Sequence, residues 1–160
     1  MVRLADLPEW EREHMLDKVR DIREGGSFAG NPWVNGPPLK QRRVAVISTA
    51  GLHRRDDRPF APGAAATDYR VIPGSAKADE LVMSHLSINY DRTGFQQDIN
   101  VVLPLDRLRE LAVEGVIGSV ADFHYSFMGA APIRQLEPRA RQLAGLLKQD
   151  KVDAVLLSPV

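Results

Sequence analysis

The chain contains no cysteine in 160 residues. Disulfides, thiolate metal sites and a cysteine nucleophile are therefore excluded within these residues. Net charge is missing too: 21 Lys and Arg balance 21 Asp and Glu. No basic field of the kind that gathers nucleic acid follows from this composition. The short basic clusters Lys40-Gln41-Arg42-Arg43 and Arg54-Arg55 read as solvated flanks. No apolar run approaches the ~20 residues that span a bilayer. The N-terminus turns acidic at Asp6 and lacks the apolar core of a signal peptide. These absences lead to the expectation of a cytoplasmic protein without nucleic-acid or membrane partners.

What is present alternates between helical and strand patterns. Asp6-Leu7-Pro8-Glu9 has the spacing of a helix start, with Asp6 as cap. The helix is expected to run to about Arg23, with Trp10, Met15, Val19 and Ile22 near one face and Gly25-Gly26 as its end. Residues 27–41 are rich in proline and glycine and read as a covering arm, in which Trp33 is an anchoring aromatic. Val44–Ser48 is the continuous β-branched run of a strand buried on both faces. Tyr69–Pro73 and Asp79–His85 are further strand candidates, and Ile99–Pro104 is a strand or turn. Pro104–Glu114 is helical in period and stopped by Gly115, Pro138 opens a last helix, and Val152–Leu157 returns as a strand. The fold class is α/β, a mostly parallel sheet with flanking helices in a Rossmann-like three-layer arrangement, its strand order open. An N-terminal helix and arm (1–42) precede an α/β domain (43–160).

Open α/β sheets place their chemistry at strand ends. The run Val46–Phe60 joins a strand end, a glycine turn, His53 and the pair Asp56-Asp57. Thr49 and Gly51 leave the strand where backbone N–H groups can approach an anion, although no Walker signature is present. Ser84-His85 follows a second apolar run, and Asp91, Asp98 and Asn100 mark a polar turn, where Asp98 and Asn100 could equally bond their own backbone. His124 sits in an aromatic-rich segment and needs a partner if it is buried.

In order along the chain, VISTAGLHRRDDRPF (46–60), DYRVIP (68–73), Ser84-His85, DINVVLPLDRL (98–108), EGVIGS (114–119), HYSFMG (124–129) and VDAVLL (152–157) resemble the selenoprotein B family of glycine, sarcosine, betaine and D-proline reductases. The resemblance implies a reductase that cleaves a C–N bond of an amino acid or related amine. It implies a selenocysteine, or a cysteine, just after the segment matching 152–157. The chain is accordingly expected to be the N-terminal part of a longer selenoprotein, ended at a UGA codon after Val160 and inactive alone. A selenolate would attack the carbon bearing the amine, which a partner subunit with a pyruvoyl group activates. A homo-oligomer is expected.

The chemistry of the residue types, rather than transferred roles, makes His53 or His124 the proton donor to the leaving group. Arg70 becomes a candidate carboxylate clamp. Thr49, Gly51, His85, Asp98 and Asn100 complete the substrate-binding set, with no metal ligand assigned. Two other readings stay open at this point. One is a metal-dependent hydrolase or lyase using His53, Asp57, His85 and His124. The other is a non-catalytic domain that oligomerises through its last strand.

Overall fold

The computed structural model describes residues 3–24, 34–62, 66–86, 92–129, 131 and 133–160. Trp33, Gly25-Gly26 and Asp91 lie outside the described residues. The chain divides into two compact units, Met1–Val34 and Asn35–Val160.

The first unit is helix α1 (Glu9–Glu24), preceded by a single 3-10 turn at Leu4–Asp6. Its start differs from expectation. Asp6 lies inside the 3-10 turn, where its carboxylate accepts from the Arg3 N–H at 3.0 Å. The Pro8 carbonyl instead accepts the first α1 bonds, from Glu11 and Arg12.

The second unit holds β1 (Arg43–Ser48), β2 (Leu52–Arg54), β3 (Tyr69–Pro73), β4 (Leu81–Met83), α2 (Thr93–Gln97), α3 (Leu105–Val113), β5 (Ser119–Val120), β6 (Phe123–Phe127), α4 (Ile133–Gln149) and β7 (Ala154–Ser158). β1 is the central strand. It pairs in parallel with β7 along one edge, and with β5 and then β6 along the other. β3 closes the far side of β6 and runs antiparallel to it. The class is therefore α/β with a mostly parallel sheet. β2 and β4 form a separate antiparallel pair.

The burial follows from the strand period of two. On one face, Val44, Val46 and Ile72 pack with Leu105 and Leu108 of α3 and with Leu52 and Leu81 of the small sheet. On the other, Tyr125 and Phe127 pack with Leu143 of α4. Burying an aliphatic side chain of this size contributes ~1.5–3 kcal/mol, so β1, buried along most of its length and paired on both edges, anchors the unit together with β6, which is paired with β1 and β3. β7 is the opposite case: Val155, Leu156 and Leu157 are 39, 42 and 68% exposed.

α3 begins after Pro104 as expected. α4 begins at Ile133, so Pro138 lies inside the helix instead of opening it. The missing proline N–H removes one rung of the hydrogen-bond ladder near the first turns. The strand expected at 79–85 shortens to β4 behind a 3-10 turn, and Ile99–Val101 is a 3-10 turn. Among the described residues, no helix is long and apolar enough to cross a membrane.

Candidate functional site

Because β1, β6 and β7 are parallel, their C-terminal ends meet on one rim. β1 finishes in Ser48-Thr49-Ala50-Gly51. The Thr49 N–H donates to Ser158 O at 3.1 Å, and the Val160 N–H donates to Thr49 Oγ1 at 2.8 Å. The end of β7 is thereby fastened to the end of β1. Gly51 then turns the chain toward β2 with a φ of 64°, and Gly129 leaves β6 with a φ of 67°. Both angles favour glycine. A Cβ on Gly129 would stand 2.9 Å from Thr49 Cβ, and one on Gly51 would stand 3.2 Å from the His85 backbone N. The two glycines thus let three segments converge to backbone contact.

Buried serines complete the turn. Ser48 Oγ accepts from the Ala50 N–H at 3.2 Å and Ser126 Oγ from the Leu52 N–H at 2.8 Å. The Gly51 N–H donates to Phe127 O, and the Ser84 N–H to Gly51 O, at 2.8 and 2.9 Å. The residues after β4 are thereby drawn onto the same rim. His85 follows there, buried. Burial, and then the Arg92 guanidinium that donates to its carbonyl, hold its pKa below the usual histidine value.

His53 in β2 is 4% exposed, and both of its ring nitrogens are engaged. Nδ1 lies 2.8 Å from Arg54 O, and Nε2 lies 2.8 Å from Ser84 Oγ. The Phe60 ring meets it edge-on, 6.4 Å between centroids.

The other predicted site residues go elsewhere. His124 is fully buried beneath the rim. Its Nδ1 accepts from the Val46 N–H at 2.9 Å, filling the place in the ladder that the break between β5 and β6 leaves open. Its Nε2 is buried with no hydrogen-bond partner. Burial, and then the nearby Arg109 guanidinium, depress its pKa to about 4, so the ring is neutral at pH 7.

Arg70 is also buried, with its donors directed at the loop after β2. It donates to Arg58 O at 2.8 Å, to Pro59 O at 3.1 Å and to Asp68 at 2.8 Å, and its guanidinium lies 4.3 Å over the Phe60 ring. That geometry makes Arg70 the support of Phe60, and through Phe60 of His53, in place of the carboxylate clamp expected. Asp98 accepts from the Asn100 N–H and side-chain amide at 2.9 and 2.8 Å, while Asn100 Oδ1 accepts from the Asp106 N–H at 3.0 Å. Asp98 thus caps the 3-10 turn Ile99–Val101, and Asn100 bonds the first turn of α3.

Among the described residues, no group of three or more His, Asp or Glu side chains could hold a metal ion. His53, Asp57, His85 and His124 do not form one. Ser84, singled out with His85 in the sequence but not placed in the substrate-binding set, joins the rim. Its hydroxyl was visible beside His85, but its partner lies in another strand.

Fold and rim together define a mostly parallel α/β domain whose strand ends gather hydroxyls, imidazoles and glycine backbone. Residues 32–160 match the family model of glycine/sarcosine/betaine reductase selenoprotein B, and the chain belongs to that family. It is 37% identical over 122 residues to D-proline reductase subunit gamma of Acetoanaerobium sticklandii, covering 75% of this chain and 49% of that protein. It is 30% identical over 128 residues to glycine reductase complex component B subunit gamma of Symbiobacterium thermophilum, covering 76% of this chain and 30% of that protein. Betaine reductase complex component B subunit beta of Peptoclostridium acidaminophilum is 29% identical over 123 residues, covering 75% and 28%. The chain thus spans half or less of the length of these relatives, whose names make them subunits of reductases or reductase complexes. No solved structure matches the chain significantly.

Proposed function

We propose that this chain forms the substrate-binding part of a selenol- or thiol-dependent reductase that reductively cleaves a C–N bond of an amino acid or related amine. The observation that carries the reading is the convergence of Thr49, Gly51, Ser84 and His85 with His53 at one rim of the parallel sheet, in a family of amine reductases. We read the sheet, covered by α4 on one face and α3 on the other, as Rossmann-like and three-layered. Its ligand site would then lie at the carboxyl ends of the strands.

Thr49, Gly51 and His85 orient the substrate, and His53 is the proton source for the leaving amine. His124 acts from below, holding β1 in place for the rim. A selenocysteine or cysteine in the polypeptide continuing after Val160 supplies the nucleophile. The Val160–Thr49 bond supports this, because it delivers the end of β7 to the rim. A pyruvoyl-type partner subunit activates the amine, and the protein works in the cytoplasm. Among the described residues β7 pairs only with β1 and exposes Val155, Leu156 and Leu157, which favours a homo-oligomer joined there.

The test is a reconstitution. The full-length protein is assembled with its partner subunits, given a dithiol reductant, and assayed with glycine, sarcosine, betaine and D-proline. C–N cleavage of at least one amine is expected, with residues 1–160 alone inert. No turnover of any of the four overturns the reading. Size-exclusion chromatography of Leu157→Asp checks the β7 contact, and a shift to monomer is expected.

A further inference from the structure

His53 and Ser84 are 31 positions apart. The antiparallel pairing of β2 with β4 sets His53 opposite Val82, so the residue just after β4 falls beside the ring. The partners fix the proton positions. Arg54 O can only accept, so Nδ1 carries the proton in the neutral ring, and Nε2 accepts from the Ser84 hydroxyl. With both nitrogens engaged and the ring 4% exposed against Phe60, a small molecule on the rim has no direct approach to the imidazole. Ser84 is the half-buried member of the pair, and its backbone is fixed to Gly51. Proton traffic between His53 and the rim therefore has one short route, through the Ser84 hydroxyl.

We infer that Ser84 is the catalytic hydroxyl of this site, relaying a proton from His53 Nε2 to the nitrogen of the departing amine. The inference rests on the reductase reading above. The step balances as a concerted shift. The imidazolium gives its Nε2 proton to Ser84 Oγ while the hydroxyl proton of Ser84 passes to the amine nitrogen. The ring returns to neutral and the serine is unchanged. Arg54 O holds the Nδ1 proton throughout, which keeps Nε2 as the transferring atom.

Two measurements test it. On residues 1–160, 15N NMR of the imidazoles is expected to give His53 protonated at Nδ1, with an Nε2 resonance that moves in Ser84→Ala. The opposite tautomer, or an Nε2 resonance indifferent to the substitution, overturns the relay. On the reconstituted full-length complex, Ser84→Ala and His53→Asn are each expected to lower kcat by roughly 100-fold or more with little change in KM. The double variant should be no slower than the worse single one, because one relay is lost once. Ser84→Thr, which keeps the hydroxyl, should stay within roughly tenfold of the parent. Multiplying defects, or full activity in Ser84→Ala, overturn the inference. If the parent complex cleaves none of the amines, the reductase reading fails, and the NMR result alone decides the hydrogen-bonded pair.

Discussion

At the end of the sheet where β1 begins, the polar groups are charged and paired. Where β1 finishes, hydroxyls, imidazoles and backbone groups predominate, with the Arg92 guanidinium on the His85 carbonyl. Arg43 donates to the Asp150 carbonyl and carboxylate and to Val120 O, and it forms an ion pair with Asp122. Asp150 in turn accepts from the Asp122 and Phe123 N–H groups at 2.8 and 3.2 Å. One cluster thus fastens β1, the start of β6 and the end of α4. The opposite rim is built from Thr49, Ser84, His53 and two glycines, joined by bonds to backbone and by the His53–Ser84 side-chain bond. Charge saturated by fixed partners is poor equipment for handling a substrate. Hydroxyls, which can donate and accept at once, keep such capacity for one. The contrast gives the first end a structural role and fits the second to the chemistry proposed for it.

The sharpest way to break the comparison is Asp150→Ala. Burial pushes the Asp150 carboxyl up, but the Arg43 guanidinium and the Phe123 and Asp122 N–H groups outweigh it and hold the pKa below the ordinary carboxylate value. Its removal takes the closest carboxylate from Arg43, whose side chain is only 23% exposed and is left with Asp122 and two carbonyls, and frees two N–H groups. A loss of about 3 kcal/mol is expected, near the low end for a broken buried pair because Arg43 keeps some solvent. Urea unfolding measures it. A loss below about 1 kcal/mol would remove the cluster from its structural role.

Much of this division could be read from the chain, and the unread parts share a cause. Val44–Ser48, Tyr69–Pro73 and Val152–Leu157 announced strands because β-branched and apolar runs favour extended backbone locally, although the last of them is exposed. Pro104 and Gly115 bracketed α3 for equally local reasons. β2 went unread because Leu-His-Arg is only three residues long and two of them are polar, and β5 because two residues carry no period. Arg70, Asp98 and Asn100 looked like site residues because their type suits a site. Whether such a group meets a substrate or a carbonyl depends on residues distant in sequence. His53 and Ser84 make the same point from the other side. The pairing that couples them is a property of the β2–β4 register, which no single segment encodes.

His124 sits between the two ends and gives a pH test of comparable size. Its pKa lies at about 4 against the ordinary 6.5, because burial and then Arg109 oppose the charged ring, with Asp150 pulling weakly the other way. The unfolded chain therefore binds the proton more readily than the folded one. This contribution is intact above pH 6.5 and is lost as pH falls toward 4, reaching about 3 kcal/mol at the lower limit. His85 is shifted in the same direction and adds to the slope. His124→Asn keeps an acceptor for the Val46 N–H but cannot titrate. It should be less stable at pH 7, with a visibly flatter profile of urea midpoint between pH 6.5 and 4. A profile as steep as the parent's would exclude His124 as the source.

The smallest effect lies at the charged end, where α4 stops. Both α3 and α4 close with the same pair of bonds. In α3, Val116 N donates to Leu111 O and Gly115 N to Ala112 O; in α4, Val152 N donates to Leu147 O and Lys151 N to Lys148 O. This pattern needs a left-handed residue just past the helix. α3 supplies Gly115 at a φ of 71°, whereas α4 forces Lys151 to 54°. A side chain in that region costs about 1–2 kcal/mol, against which the greater freedom of glycine in the unfolded chain must be set. The Lys151 side chain is exposed, and its charge near the helix end contributes a few tenths of a kcal/mol. Lys151→Gly should therefore raise stability by about 0.5–1 kcal/mol, read as a higher urea midpoint at unchanged slope. It should leave the His53–Ser84 resonances where they are, since the turn lies at the far end of the sheet. If those resonances moved with it, the two ends would be mechanically coupled, and the separation of stability from chemistry would fail.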